Sequence, residues 1–377
     1  MSQSAELITL LTALVGCESY SGKEHNVQRL IADWFSVRGM PVQYQAAADG
    51  LQNVVVEIAG HDEGPTLWIG GHCDTVAIAD GWQRQPHQPV IEGDRLYGLG
   101  AMDMKAGLAA AMVTVHQLFQ QREQWGGRVI FAALADEEAW SRGADAFVSV
   151  ERHIDAAIMC EPHFNDIVIG AMGKINIDVT VKGRAAHGST PEKGVNAVTE
   201  AARLLVAIDQ IQREPHPQFG PASHCVLNVS SGNAPYQISV PDFCTFRLNW
   251  QFMPGESAEQ ALQLLRQCAA DLHSAATFTV SPARPHYESY LLANDEPALQ
   301  LLLSSYRAIT GKQPELRFGK GVSDANIFCG RAGIPTYLFG PGGANMHAGD
   351  EWVDLPQLAL TQQIYLHFAQ RFLHSLT

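Results

Sequence analysis

Five short segments of this chain present histidine or carboxylate side chains, four of them after strand-like apolar runs and one at the start of a helix. The first is Gly70-Gly71-His72-Cys73-Asp74, at the end of a strand-like run. His72 and Asp74, two apart on an extended backbone, point to one face, so a carboxylate can stand behind a metal-binding imidazole and orient it. The second is Gly98-Leu99-Gly100-Ala101-Met102-Asp103, which leads into an Ala-rich helix. A dinucleotide-binding loop would need Gly where Asp103 stands, so the glycines are read as letting the backbone turn sharply and project Asp103. The third is Asp136-Glu137-Glu138 after the buried run Val129–Ala135, and the fourth is Glu161 after Ala156–Met159. The fifth is His347, in the Gly-rich loop after Thr336–Phe339, with Asp350 and Glu351 following.

Each segment alone has a plainer reading: a strand-end turn, an N-cap aspartate at Asp103, a solvated acidic loop, a surface histidine. Their convergence is what carries weight. Carboxylates crowded at the ends of buried strands are costly unless cations neutralise them. Two histidines and three carboxylates offer mixed N/O ligation suited to Zn, or to Co or Mn, and suffice for two ions that share a bridging carboxylate.

The elements that position these groups alternate between short apolar strands and helices, the signature of an α/β fold. Expected strands are Asn53–Ile58, Thr66–Gly71, Val129–Ala135, Ala156–Met159 and Thr336–Phe339. Several are continuously apolar, as in a mostly parallel central sheet covered by helices on both faces. Expected helices include one over Leu7 to Cys17, one over His25 to Val37, Lys105 to Gln120, and a closing helix from about Leu355 to Leu373. Between Lys174 and Pro285 the pattern changes. Ile175, Ile177, Val179 and Val181 alternate with polar residues, and a strand–helix–strand–strand–helix–strand order follows. That is a ferredoxin-like α+β domain, residues 174–285, inserted into a catalytic domain formed by residues 1–173 and 286–377.

Composition narrows the chemistry. The chain has 377 residues and a net charge of −14, so it lacks the basic field that attracts nucleic acid. Small-molecule or peptide substrates fit better. Seven cysteines form no CxxC pair and no dense disulfide framework, which points to a reducing cytoplasm. No apolar run is long enough for a membrane helix, and the apolar segment near the N-terminus lacks the basic flank of an export signal.

His72-x-Asp74, Gly-x-Gly-x-x-Asp103-Met-Lys, Asp136-Glu137-Glu138, Glu161-Pro162 and His347, in this order, resemble one family. It is that of acetylornithine deacetylase, succinyl-diaminopimelate desuccinylase, aminoacylase and carboxypeptidase G. The likeness extends through His187-Gly188-Ser189 and Arg247. It implies a two-zinc amide hydrolase with Co or Mn as substitutes, built as a zinc exopeptidase-like domain with an inserted domain that mediates homodimerisation. By the same resemblance Asp103 bridges the metals, His72 and Glu161 complete one site, and Glu138 and His347 the other. Glu137 is then the general base, Asp74 orients His72, His187 supports the oxyanion, and Arg247 grips a substrate carboxylate. The resemblance further implies a cis peptide at Asp103–Met104. The substrate expected is an N-acyl amino acid, with a dipeptidase or carboxypeptidase as the alternative. Leu99, Ala101, Ala106 and Phe246 depart from common family residues, and Tyr236 stands where a substrate-contacting Asn is usual. These departures bear on which substrate is taken, since none is a predicted ligand.

Overall fold

The computed structural model describes residues 3–232 and 238–374, so Tyr236 lies outside the described residues. The chain divides into two compact units. One comprises Met1–Ile169, Leu292–Arg317 and Ser323–Thr377; the other comprises Gly170–Leu291 and Phe318–Val322.

The first unit is built on a twisted sheet. Four neighbouring strands, Arg128–Leu134, Thr66–His72, Ala156–Met159 and Thr336–Leu338, run parallel in that order. Their residues are buried almost without interruption, which is why their sequences are continuously apolar rather than alternating. The strands Gln52–Ala59 and Val42–Ala46 continue the sheet antiparallel on one side, and Asp166–Ala171 joins antiparallel on the other. Because the four central strands share a direction, their C-terminal ends lie on one edge, where open α/β sheets carry ligand crevices.

Aromatic packing fixes both faces of this sheet. Phe131 meets Phe35 of the helix His25–Ser36, while Trp68 is covered by Phe147 and Phe328. Phe131 is in register with Ile69, so Trp68 points to the opposite face. The helix Ala106–Gln120 is apolar nearly all round and buried over most of its length, and it packs between the sheet and the closing helix Leu355–His374. The strands Val42–Ala46 and Asp166–Ala171 and the helix Pro297–Thr310 had no counterpart in the sequence reading.

The second unit is a four-stranded antiparallel sheet in the order His224–Ser231, Phe243–Phe252, Gly173–Lys182, Thr277–Tyr287. Helices Ala197–Asp209 and Ala258–Asp271 cover one face. Ile175, Ile177, Val179, Val181, Phe246, Leu248 and Trp250 point into that core, leaving Asn176, Asp178, Arg247 and Asn249 on the polar face. Ser257 opens the second helix with a complete capping box through Gln260.

Candidate metal centre

The ends of the four parallel strands and one inserted loop bring the candidate ligands together. His72 is the last residue of its strand, Glu137 and Glu138 follow Arg128–Leu134, Glu161 follows Ala156–Met159, and His347 lies in the loop after Thr336–Leu338. Close backbone approach draws these loops inward. A Cβ at Gly107 would stand 2.0 Å from the Cys160 carbonyl oxygen, and one at Gly340 would stand 2.5 Å from the same atom. The glycines thus pack the segments that carry Asp103 and His347 against the one that carries Glu161.

Asp103 sits at the middle. Its backbone is extended (φ −113°, ψ 98°), so it is no helix N-cap; the residue flanking the helix is Lys105. Gly100 adopts φ 75°, and the Asp103–Met104 peptide is cis. The Met104 sulfur accepts a hydrogen bond from the His72 main-chain N–H at 3.3 Å. Asp103 turns Oδ1 to His72 Nε2 at 3.1 Å and Oδ2 to His347 Nε2 at 3.2 Å. Glu138 Oε1 lies 2.9 Å from His347 Nε2. Ligand atoms of His72, Asp103 and Glu138 all fall within 4.8 Å of one another, close enough to share a cation.

Asp74 organises the two strand ends, with a division of labour the sequence did not suggest. The His72 Nδ1 is closest to the Asp74 main-chain oxygen, at 3.0 Å, and stands 3.5 Å from its carboxylate. The carboxylate itself accepts the N–H groups of Glu137 and Glu138, each at 3.1 Å, and the Ser21 hydroxyl at 2.7 Å. Burial opposes its charge, but these partners and His72 hold the Asp74 carboxyl below the usual range. With Nδ1 occupied, His72 is left with Nε2 facing Asp103.

The electrostatics fit cations. Burial pushes Glu161 up to about 8, helped by the charge of Asp103, and pushes Glu137 well above the ordinary carboxylate range despite His72. His347 is held at about 10 by its hydrogen bonds to Asp103 and Glu138. A cluster that retains protons in this way exchanges them for metal ions on loading. Asp136, the first of the three consecutive acids, takes no part: it adopts φ 69° and its carboxylate is paired to Arg142 at 2.6 and 2.8 Å.

His187 and Arg247 lie in the second unit. His187 is exposed; its Nδ1 accepts the Ser189 N–H at 3.2 Å, which leaves the ring proton on Nε2. Arg247 is bound through Nε and Nη2 to Asp178 at 2.6 and 2.8 Å, so one edge of its fork is already engaged. Three further residues near the cluster lie outside the ligand set expected from the sequence. Asp324 is fully buried, which pushes it to about 7; Lys105 is buried with Nζ on the Cys17 carbonyl at 2.8 Å; Glu351 is buried against the Asp103 loop. Only Lys105 and Glu351 had a signal, their proximity in sequence to Asp103 and His347.

A parallel sheet with histidine and carboxylate groups gathered at its C-terminal edge has the make-up of a metal-dependent enzyme. The model of the Peptidase family M20/M25/M40 matches residues 68–371, and the chain belongs to that family. It is 30% identical over 332 residues to a succinyl-diaminopimelate desuccinylase of Gluconacetobacter diazotrophicus, covering 82% of each chain. A desuccinylase of Gluconobacter oxydans is 28% identical over 383 residues, covering 97% of each. Among solved structures, a tripeptidase from Staphylococcus aureus has a similar fold, with a TM-score of 0.78 at 23% identity over 98% of each chain. Aminopeptidase PepT from Bacillus cereus is similar at a TM-score of 0.79 and 20% identity, over 98% of this chain and 99% of that one.

Proposed function

We propose that this protein hydrolyses the amide of an N-acyl amino acid, with an N-succinyl group the first to test, at a centre of two zinc ions. The observation that carries the reading is the Asp103 carboxylate, whose two oxygens each face a different histidine, as a bridging ligand requires. In this reading His72 and Glu161 complete one site, and Glu138 and His347 the other. When bound, the cations supply Lewis-acid polarisation of the scissile carbonyl and the charge that acidifies water. Glu137, half-buried beside the ligands and with its affinity for protons raised by desolvation there, takes the proton of the attacking water and returns it to the leaving amine. Asp74 holds the Glu137 amide and the His72 ring in one frame. His187, with its proton on Nε2, is proposed to serve a second copy's centre as the oxyanion donor, and Arg247 to bind the substrate carboxylate through the part of its fork that Asp178 leaves open.

The succinyl preference rests on the curated relatives, of which the two described above and three more are desuccinylases. A dipeptidase or carboxypeptidase would use the same centre. Initial rates on matched N-succinyl, N-acetyl and dipeptide substrates separate these readings, and a dipeptide preferred by more than about tenfold, roughly 1.4 kcal/mol, would replace the deacylase reading. The second unit is proposed to pair two copies through its edge strand His224–Ser231, where Val226, Leu227 and Val229 are exposed. A monomeric mass by light scattering would reject that pairing. A reducing cytoplasm is proposed because all seven cysteines are unpaired; among the described residues no helix is long and apolar enough to cross a membrane.

A further inference from the structure

Glu351 stands four residues beyond His347, is 1% exposed, and directs both carboxylate oxygens at main-chain amides about 250 residues away in sequence. Oε2 accepts the Gly100 N–H at 2.8 Å, while Oε1 accepts those of Met102 at 2.8 Å and Asp103 at 3.0 Å. Its own carbonyl accepts the Gly98 N–H at 3.0 Å. Every second residue from Gly98 to Met102, and Asp103 itself, is therefore tied to one side chain or its backbone. The loop so tied has little freedom to relax elsewhere, since a Cβ at Gly100 would meet Thr75 Cγ2 at 2.5 Å.

We propose that Glu351 is a positioning residue, whose carboxylate clamps the loop amides so that the two oxygens of Asp103 are held between His72 and His347; this rests on the two-cation reading above. Three converging N–H donors need an acceptor with several lone pairs. Glutamine is nearly isosteric but turns one acceptor into a donor that would face an amide, and aspartate falls short by one methylene. The same segment carries His347, so one turn of chain supplies a ligand and also fixes the bridging ligand opposite it. Outer groups of this kind tune metal affinity by about 10–100-fold.

The test uses the full-length protein, stripped of metal and titrated with Co2+, following binding and the visible absorption of the bound ion. Glu351→Gln should weaken Co2+ binding by at least about tenfold and alter the spectrum, with the thermal midpoint of the metal-free protein near that of wild type. Asp350→Asn is the control: Asp350 accepts the Gln83 and Arg84 N–H groups from the same loop but does not touch Asp103. It should leave Co2+ affinity within about twofold, well inside the tenfold that marks a ligand-orienting group. Wild-type binding by Glu351→Gln, or an equal loss in Asp350→Asn, would overturn the proposal. Should Glu351→Gln not fold, Glu351→Asp is read by the same criteria, and loss of the fold in both would make the residue structural and overturn it too. Failure of wild type itself to take up Co2+ would instead bring down the two-cation reading, and this proposal with it.

Discussion

His72 and His347, 275 positions apart in the chain, address opposite oxygens of one carboxylate: Nε2 of the first is 3.1 Å from Asp103 Oδ1, and Nε2 of the second is 3.2 Å from Oδ2. The arrangement follows from topology. Their strands lie in the same parallel run with Ala156–Met159 between them, and Asp103 enters from the loop before the buried helix.

Glu137→Gln keeps the side-chain volume and removes the proposed base. Turnover should fall by about 10²–10⁴-fold while metal content stays at the wild-type level. Steady-state kinetics with elemental analysis on the same sample checks this, and full activity would remove Glu137 from the role.

The Gly107 position carries a structural prediction. A methyl group there would stand 2.0 Å from a main-chain oxygen, so Gly107→Ala must shift the segment that carries Glu161. A loss of about 1–3 kcal/mol in denaturant stability is expected, together with weaker metal retention. Unchanged values for both would mean that the convergence does not depend on this contact.

Glu24 gives a pH dependence away from the ligands. Burial pushes its carboxyl up to about 7, with Asp74 and Asp136 adding to the effect and the Gly22 amide opposing it. A raised folded-state value means that the fold favours the protonated form. Its contribution is full below the unfolded value of roughly 4.3 and is lost as pH rises through about 7. Glu24→Gln should therefore match wild type in thermal midpoint near pH 4.5 and exceed it progressively up to pH 8. Parallel melting curves across that range decide it; a constant offset would contradict the assignment.

Arg247→Ala should raise KM for N-acyl amino acids by about 10–100-fold with little change in kcat, the signature of a lost charged hydrogen bond in binding. Because Asp178 holds one edge of the guanidinium, Asp178→Asn is expected to lower KM. Equal KM values in all three proteins would make the pair a surface ion pair only.

Part of the centre was legible because three of the parallel strands are apolar runs that end in, or are closely followed by, His72, Glu137-Glu138 or Glu161, whereas His347 lies further along the Gly-rich loop after the fourth. The alternation from Ile175 to Val181 likewise disclosed a half-covered sheet. What escaped notice were relationships that local pattern does not encode. Asp136 looks like Glu137 and Glu138 in sequence, yet Arg142 removes it from the site. Asp74 orients His72 chiefly through its carbonyl, a contact open to any residue type. Glu351 acts on amides about 250 residues away, and no periodicity records such a contact. The strand Val42–Ala46 is half exposed at the sheet's edge, so it lacked the apolar signal of its neighbours.

The most direct measurement is metal content by elemental analysis of the purified protein, paired with hydrolysis of an N-succinyl amino acid before chelation, after chelation and after zinc is restored. The account predicts about two zinc-like ions per chain, and cleavage that disappears with them and returns on reloading. Cleavage that persists in the metal-free protein, or a chain that binds no zinc when zinc is supplied, would contradict it.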